Sequence, residues 1–189
     1  LIADLIVPLA SFNNSFSEDF INIINSNFII EDSDFKNSSS DSIDVDFSYG
    51  NINNVNLSNI NGDAIDTSGS KISLTNINIK NVNDKSISAG EKSDLTLKSI
   101  NIRNSNIGIA SKDSSVVRGN NINISNSSSY DLTAFIKKNF YNGGLIYLQD
   151  VNYKNKNLIQ NKSFAEVNNK IIKTKKFNSK LLYEKWDLK

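Results

Sequence analysis

Apolar and polar residues alternate over several short segments of this chain. In residues 76–81 (NINIKN), 100–104 (INIRN) and 121–126 (NINISN), an apolar side chain occupies every second position. A period of two puts alternate side chains on opposite faces of a β-strand, whereas an amphipathic helix has a period near 3.6. The pattern therefore predicts short strands, each with one buried face.

The apolar pattern repeats every 22 residues. One column of isoleucines follows this interval: Ile21, Ile43, Ile65, Ile87 and Ile109. A second apolar column and a column of asparagines have the same period: Phe35, Leu57, Ile79, Ile102 and Ile124, and Asn37, Asn59, Asn81, Asn104 and Asn126. These two columns share a slip of a single residue, which one insertion in one repeat explains. A fixed period of this length is typical of a solenoid, in which each repeat buries its face against its neighbours.

The alternation decides which kind of solenoid to expect. A leucine-rich repeat needs leucine at several fixed positions and a helical half, and the sequence has neither. We predict an all-β fold, a right-handed parallel β-helix with about 22 residues per coil and about six coils. Residues 1–153 are assigned to the β-helix, and residues 154–189 to a C-terminal strand and a lysine-rich amphipathic cap.

The columns have a structural interpretation. The isoleucines should point inward and stack from coil to coil. The asparagines end the strands, where Asn tolerates the left-handed backbone of a sharp corner. Stacked side-chain amides can also bond along the solenoid. We therefore interpret the asparagine column as a structural ladder.

Four successive repeats carry related motifs: SDSIDVDFS (40–48), GDAIDTSGS (62–70), DKSISAGEKS (84–93) and GIASKDSS (108–115). Through them the chain resembles the right-handed parallel β-helix proteins of the pectate-lyase-like superfamily, in particular a bacterial type with D-A-I-D, S-G-S, G-E-x-S and S-K-D-x-S coils. The resemblance covers about residues 18–138. It implies the fold much more strongly than an activity.

Charged residues in these motifs should collect along one edge of the solenoid. If Ile65 points inward, Asp66 points outward, and Asp44 stands one coil away at about 5 Å. Like charges on paired strands repel each other and need compensation. The predicted edge consists of Asp41, Asp44, Asp46, Asp63, Asp66, Asp84, Lys85, Glu91, Lys112 and Asp113.

Three interpretations of this edge remain open. It can be a salt-bridged ladder that holds tight turns. It can be a calcium site with Asp44, Asp46 and Asp66 as ligands, together with Asp41 or Asp63; the resemblance supports this, because pectate-lyase-like proteins often use calcium to hold uronate carboxylates. It can be catalytic, with Asp44 and Asp66 as a carboxylate pair and Lys85 or Lys112 as a base of lowered pKa.

Composition narrows the chemistry. The 189 residues include no histidine and no cysteine, which excludes Ser–His and Cys–His nucleophiles and a zinc site built from those residues. The Gly-His-Gly element of polygalacturonases is absent, and Arg103 and Arg118 lie outside the acidic columns, so the pectate-lyase arginine has no match. A net charge of +1 gives no overall field that attracts nucleic acid.

The termini raise further expectations. No run of eighteen apolar residues predicts a transmembrane helix. The chain contains no methionine and begins at Leu1, which suggests a piece of a longer protein with any signal peptide upstream. Lysines accumulate after residue 154, as solvated cover or as a contact for anionic polymer or membrane. We expect Leu181, Leu182 and Trp186 to cover the last coil, because an open solenoid end exposes strand edges.

The sequence therefore favours an exported module, extracellular, periplasmic or at the cell surface, that binds polysaccharide along the charged edge with calcium as a candidate cofactor. Processing of the polysaccharide, by lyase or glycoside hydrolase chemistry, stays a further option. The alternative is a non-catalytic structural or adhesive solenoid. In either case the protein is expected to be a monomer or part of a larger multidomain chain.

Overall fold

A computed structural model describes residues 5–183. It shows a parallel β-solenoid of about seven turns with about 22 residues per turn, one turn more than the sequence predicts. The described residues contain no α-helix; one 3₁₀ helix spans Ser179–Leu182. No helix among them is long and apolar enough to cross a membrane.

The strands, numbered in chain order, are β1 (Leu5–Pro8), β2 (Ser11–Ser15), β3 (Asp19–Ile24), β4 (Asn27–Ser38), β5 (Asp41–Asp46), β6 (Tyr49–Ile60), β7 (Ile65–Ser68), β8 (Lys71–Gly90), β9 (Asp94–Lys112), β10 (Val116–Ser125), β11 (Tyr130–Phe135), β12 (Leu145–Asn152), β13 (Asn157–Gln160), β14 (Phe164–Val167), β15 (Lys170–Ile171) and β16 (Thr174–Lys175).

Each turn has three faces, which we call A, B and C in chain order. In one turn they comprise residues 49–53, 55–58 and 65–68. Long strands such as β8 bend through all three faces of their turn. Equivalent residues of successive turns pair in parallel, as Leu57 does with Ile79 and Ile65 with Ile87. The prediction that equivalent residues lie above one another is confirmed.

The predicted apolar columns form the core. Ile43, Ile65, Ile87 and Ile109 are completely buried and stack along face C. The column that starts at Phe35 lines face B in the same way. Each buried aliphatic side chain stabilises the fold by roughly 1.5–3 kcal/mol.

The asparagine ladder is also confirmed. Its members are Asn37, Asn59, Asn81, Asn104 and Asn126, which all have φ between 58° and 62°. The side-chain Nδ2 of each donates to the Oδ1 of the asparagine one turn earlier, at 2.9–3.2 Å. Asparagine therefore serves both the left-handed corner and the bond between turns.

The single insertion lies at the corner between faces C and A. Gly69 alone occupies the left-handed corner of its turn at φ 62°, whereas Glu91 and Lys92 share the next one at φ 57° and 68°. Because of this extra residue, paired positions on faces A and B of these two turns are 23 residues apart, as Lys71 and Asp94 are.

A serine column went unnoticed in the sequence. At the start of face A, each serine hydroxyl accepts the backbone N–H of the preceding serine in the column at 3.0–3.2 Å. The column consists of Ser26, Ser48, Ser70, Ser93 and Ser115. Its spacing follows the 22-residue period with the same single insertion, so the column could be recognised from the sequence.

The C-terminal end contains several short strands. Parallel pairing continues past residue 153 through β13 and β14, and β15 then folds back antiparallel on β14. The hairpin turn uses Asn168 and Asn169, both with positive φ, and the Asn168 side chain bonds both backbone groups of Val151 at 2.9 Å. Leu182 does not cover the last turn but packs on face C; the Leu181 side chain and Trp186 lie outside the described residues.

Candidate functional site on face C

Face C carries a row of outward side chains between its inward isoleucines. The paired strands β5, β7, β8, β9 and β11 place these side chains one above another. We call the row the charged face; in chain order its members are Asp44, Asp46, Asp66, Ser68, Ser88, Gly90, Ala110, Lys112, Thr133 and Phe135. Alternation along a strand explains why these residues point out while Ile43, Ile65 and Ile87 point in.

The early turns form the open half of the charged face, where the carboxylates of Asp44, Asp46 and Asp66 are partly exposed. Asp19 and Asp41, the first residues of β3 and β5, are also partly exposed, and we include them in the open half. Burial, followed by repulsion from Asp46 and Asp66, raises the pKa of Asp44 to about 7. Burial, followed by repulsion from Asp63, raises the pKa of Asp41 to about 7 as well. Burial also raises the pKa of Asp46. These carboxyls crowd together, and each ionised form opposes the next.

Asp44 and Asp66 are direct neighbours on adjacent strands. Asn22 donates its Nδ2 to Asp44 Oδ2 at 3.1 Å, and the backbone N–H of Thr67 donates to Asp66 Oδ1 at 3.0 Å. Lys112 reaches Asp66 Oδ1 at 3.5 Å, whereas none of the ion pairs in the described part of the chain involves Asp44. A lysine therefore compensates the charge of Asp66, but not that of Asp44.

Lys85 is buried with its charge neutralised. Its Nζ lies 3.0 Å from Asp63 Oδ1 and 2.6 Å from Asp84 Oδ2, and its backbone N–H donates to Asp63 Oδ1 at 2.9 Å. Burial lowers the pKa of Lys85, but the two carboxylates outweigh burial and leave it above its usual value. A lysine general base needs the opposite shift.

Lys112 extends along the charged face towards Asp66 two turns earlier. It passes over Gly90, where an added Cβ would meet Lys112 Cε at 3.2 Å, so glycine leaves room for its path. Burial lowers the pKa of Lys112, and attraction to Asp66 reverses the shift and raises it. Lys112, like Lys85, is held in its charged form.

The later turns form the covered half of the charged face, in which Ser88, Gly90, Ala110, Lys112, Thr133 and Phe135 are all buried. Residues 177–183, which we call the C-terminal strap, pack on this half, with Phe177, Leu182 and Tyr183 against the apolar cluster that includes Ala110 and Phe135. Ser179 Oγ donates to the backbone carbonyl of Ile136. The Tyr183 ring centre lies 5.6 Å from Lys85 Nζ and 5.0 Å from Lys137 Nζ.

In the later turns, residues of the predicted edge are covered. Asp63, Lys85, Lys112 and Asp113 are only 5%, 4%, 5% and 1% exposed, because the strap and the loop at 136–144 cover them. Asp113 Oδ1 accepts the backbone N–H groups of Lys137 and Lys138 at 2.7 and 2.9 Å, which makes it a structural cap.

The remaining edge residues have identifiable partners. Asp84 pairs with Lys85, as described above. Glu91 forms an ion pair with Lys138 of the covering loop. Both side chains thus hold the boundary of the covered half.

A compact carboxylate group lies where the two halves meet. One carboxylate oxygen each from Asp41, Asp63 and Asp66 lie within 4.8 Å of one another. The sequence predicted Asp44, Asp46 and Asp66 together with Asp41 or Asp63, so Asp66 is common to both sets and the other two members are the additional ligands that the sequence offered. Lys85 already neutralises Asp63, and Asp41 Oδ1 accepts the Asp63 backbone N–H at 2.6 Å. The uncompensated negative charge therefore lies towards Asp44 and Asp46.

The fold and this face define the class of the protein as a parallel β-solenoid with one charged lateral face. Comparison with protein-family models and with curated proteins found no match to the chain.

Proposed function

We propose that this solenoid is a binding module whose open half takes a divalent cation, calcium first, and through it an oxygen-rich polysaccharide. The observation that carries the proposal is the crowding of carboxylates, in which Asp44 lies directly beside Asp66 and one oxygen each from Asp41, Asp63 and Asp66 lie within 4.8 Å of one another. The pKa of Asp41 and that of Asp44, both raised to about 7 by burial and then by repulsion, support it. A cation beside these carboxyls would replace their mutual repulsion with attraction. Asp44, Asp46 and Asp66, with Asp41, are the proposed ligands.

The donor chemistry supports calcium. Ca²⁺ prefers six to eight oxygen ligands and tolerates irregular geometry, and the open half offers only carboxylates and amide or hydroxyl oxygens. These side chains are partly exposed, which leaves coordination positions for hydroxyl or carboxylate oxygens of a sugar. Membership of the pectate-lyase-like superfamily, with a right-handed winding, stays part of this proposal, as does an extracellular, periplasmic or cell-surface location.

The test is a thermal melt at pH 8 with EDTA and with excess calcium. We expect calcium to raise the Tm of the native protein, and Asp44→Asn to remove most of that rise. Asp150→Asn is the matched control, because Asp150 has a left-handed backbone (φ 52°) that asparagine tolerates and lies outside the charged face. A Tm that does not respond to calcium contradicts the proposal.

A second candidate function is a non-catalytic structural or adhesive solenoid. It is favoured by the buried pairing of Lys85 and Lys112, which serves cohesion between turns. Incubation with pectate, alginate and neutral glycans, followed by absorbance for new double bonds, separates a lyase from a binder. Intact glycans that nevertheless bind would support the first candidate, and absence of binding to all of them would favour the structural one.

A further inference from the structure

A groove with a volume of about 960 Å³ runs along the solenoid beside the C-terminal strap. One wall is the corner between faces B and C over successive turns, represented by Asn83, Asn104 and Asn126. The opposite wall includes Phe177 and Leu182 of the strap. This volume lies within the range of ligand sites, about 300–1,000 Å³.

The lining of the groove is uncharged. None of the described residues that line it is Asp, Glu, Lys or Arg. Tyr130 and Phe177 supply aromatic rings, Leu158 and Leu182 supply aliphatic surface, and the corner supplies amides and hydroxyls. A neutral sugar has C–H faces that pack on aromatic rings and hydroxyl groups that donate and accept hydrogen bonds. The lining of the groove offers a partner for both.

The polar groups of the groove have unused bonding capacity. Asn104 uses one amide N–H for Asn81 and accepts one bond from Asn126, although a side-chain amide has two donors and two acceptor sites. Such amides recur about every 4.8 Å along the groove. Ser129, a partly exposed residue, also lines the groove and adds a hydroxyl to these amides.

A peptide is a poorer occupant. A peptide that adds as a strand needs a free strand edge, whereas the backbone along this wall is already paired between turns, as at Val82–Ser105 and Ile107–Tyr130. A polyanion or polycation would find no charge partner among the lining residues. We propose that this groove is a second binding site, for a neutral oligosaccharide. It requires no cation and lies apart from the open half of the charged face, so it goes beyond the function proposed above.

The proposal is tested by calorimetric titration of the full chain with cellohexaose, xylohexaose, mannohexaose and chitohexaose in the presence of EDTA. We expect at least one of them to bind. Tyr130→Ala should weaken that binding about fivefold, since a lost aromatic contact is worth on the order of 1 kcal/mol. Tyr147→Ala is the matched control, because Tyr147 is an exposed face A tyrosine outside the groove.

Two further variants keep the result interpretable. Ser129→Ala removes a partly exposed hydroxyl from the lining of the groove, so it should weaken binding while the fold stays intact. Asp44→Asn should leave this binding unchanged, which separates the groove from the calcium site. The proposal is overturned if no neutral hexasaccharide binds, if Tyr130→Ala and Ser129→Ala bind like Tyr147→Ala, or if an uncharged extended peptide binds instead.

Discussion

The open and covered halves of the charged face have the same backbone but opposite electrostatic character. In the open half, Asp44 lies beside other carboxyls with its pKa raised to about 7. Under the cover of the later turns, Lys85 and Lys112 are buried, and carboxylates from earlier turns keep both lysines in their charged form. The difference arises from what lies outside the solenoid, because only the later turns carry the strap and the loop at 136–144. A repeating scaffold can thus place uncompensated charges on an open surface and paired charges under a cover, both along one row of positions.

The largest expected effect comes from the column that both halves share. Ile65→Asp places a charge without a partner in the centre of the core, where burial costs several kcal/mol or more, so the chain should not fold. Circular dichroism and urea unfolding measure the result. Ile65→Val is the control and should cost only about 0.5–1.5 kcal/mol. A folded Ile65→Asp variant would contradict the assigned stacking.

The next effect distinguishes the covered half from ordinary surface charge. Lys85→Met leaves Asp63 and Asp84 without their cation, and breaking a buried pair typically costs about 3–5 kcal/mol. We expect a loss in the free energy of unfolding in this range. Lys36→Met is the matched control, because Lys36 forms an exposed ion pair with Asp34.

The control should lose less than about 1 kcal/mol, as is usual for exposed pairs. Adding Asp63→Asn to Lys85→Met should recover part of the stability, since it removes one of the stranded charges. Equal losses from the two lysine variants would remove the distinction between a covered half and an open surface.

The sequence predicted the features that depend on the repeat. Ile65 and Asn81 could be placed because identical positions recur every 22 residues and a solenoid stacks them. Asp44 could likewise be set beside Asp66, since register follows from the same period. Contacts between side chains of different turns, such as that of Lys112 with Asp66, can be predicted from the period only in part.

The cover could not be predicted, for a physical reason. Tyr183 and the loop at 136–144 lie outside the repeat, so periodicity carries no information about where they pack. Without them, Lys85 and Lys112 looked exposed, and a lowered pKa remained conceivable. The hairpin at Asn168 was not anticipated either, because it depends on turn chemistry within a region that was assigned only to a C-terminal strand and a cap.

The open half should reveal itself through pH. A carboxyl with a raised pKa in the folded state stabilises the fold below its ordinary pKa and loses that contribution as pH rises through the folded value. For Asp41 and Asp44 the free energy of unfolding should therefore fall between about pH 4 and pH 8. We expect about 1–2 kcal/mol in total, because both groups are only half-buried and salt screens them.

Urea unfolding at a series of pH values measures this slope. Asp44→Asn should flatten it and stabilise the protein at pH 8, while Asp150→Asn should leave it unchanged. Calcium should restore stability at pH 8 and have little effect at pH 5, where the carboxyls hold protons. A slope that persists in Asp44→Asn with Asp41→Asn added would assign the titration to other groups.

The smallest effect concerns how the strap holds the covered half. The Tyr183 hydroxyl is buried without a hydrogen-bond partner in the described part of the chain, whereas its ring meets Phe135 edge-on at 6.2 Å and lies near two lysines. Tyr183→Phe should therefore change the free energy of unfolding by less than about 0.5 kcal/mol, because it removes an unpaired hydroxyl and keeps the ring. Tyr183→Ala should cost more, since it removes the ring contacts as well. If Tyr183→Phe were as damaging as Tyr183→Ala, the hydroxyl rather than the ring would hold the strap on the lysines.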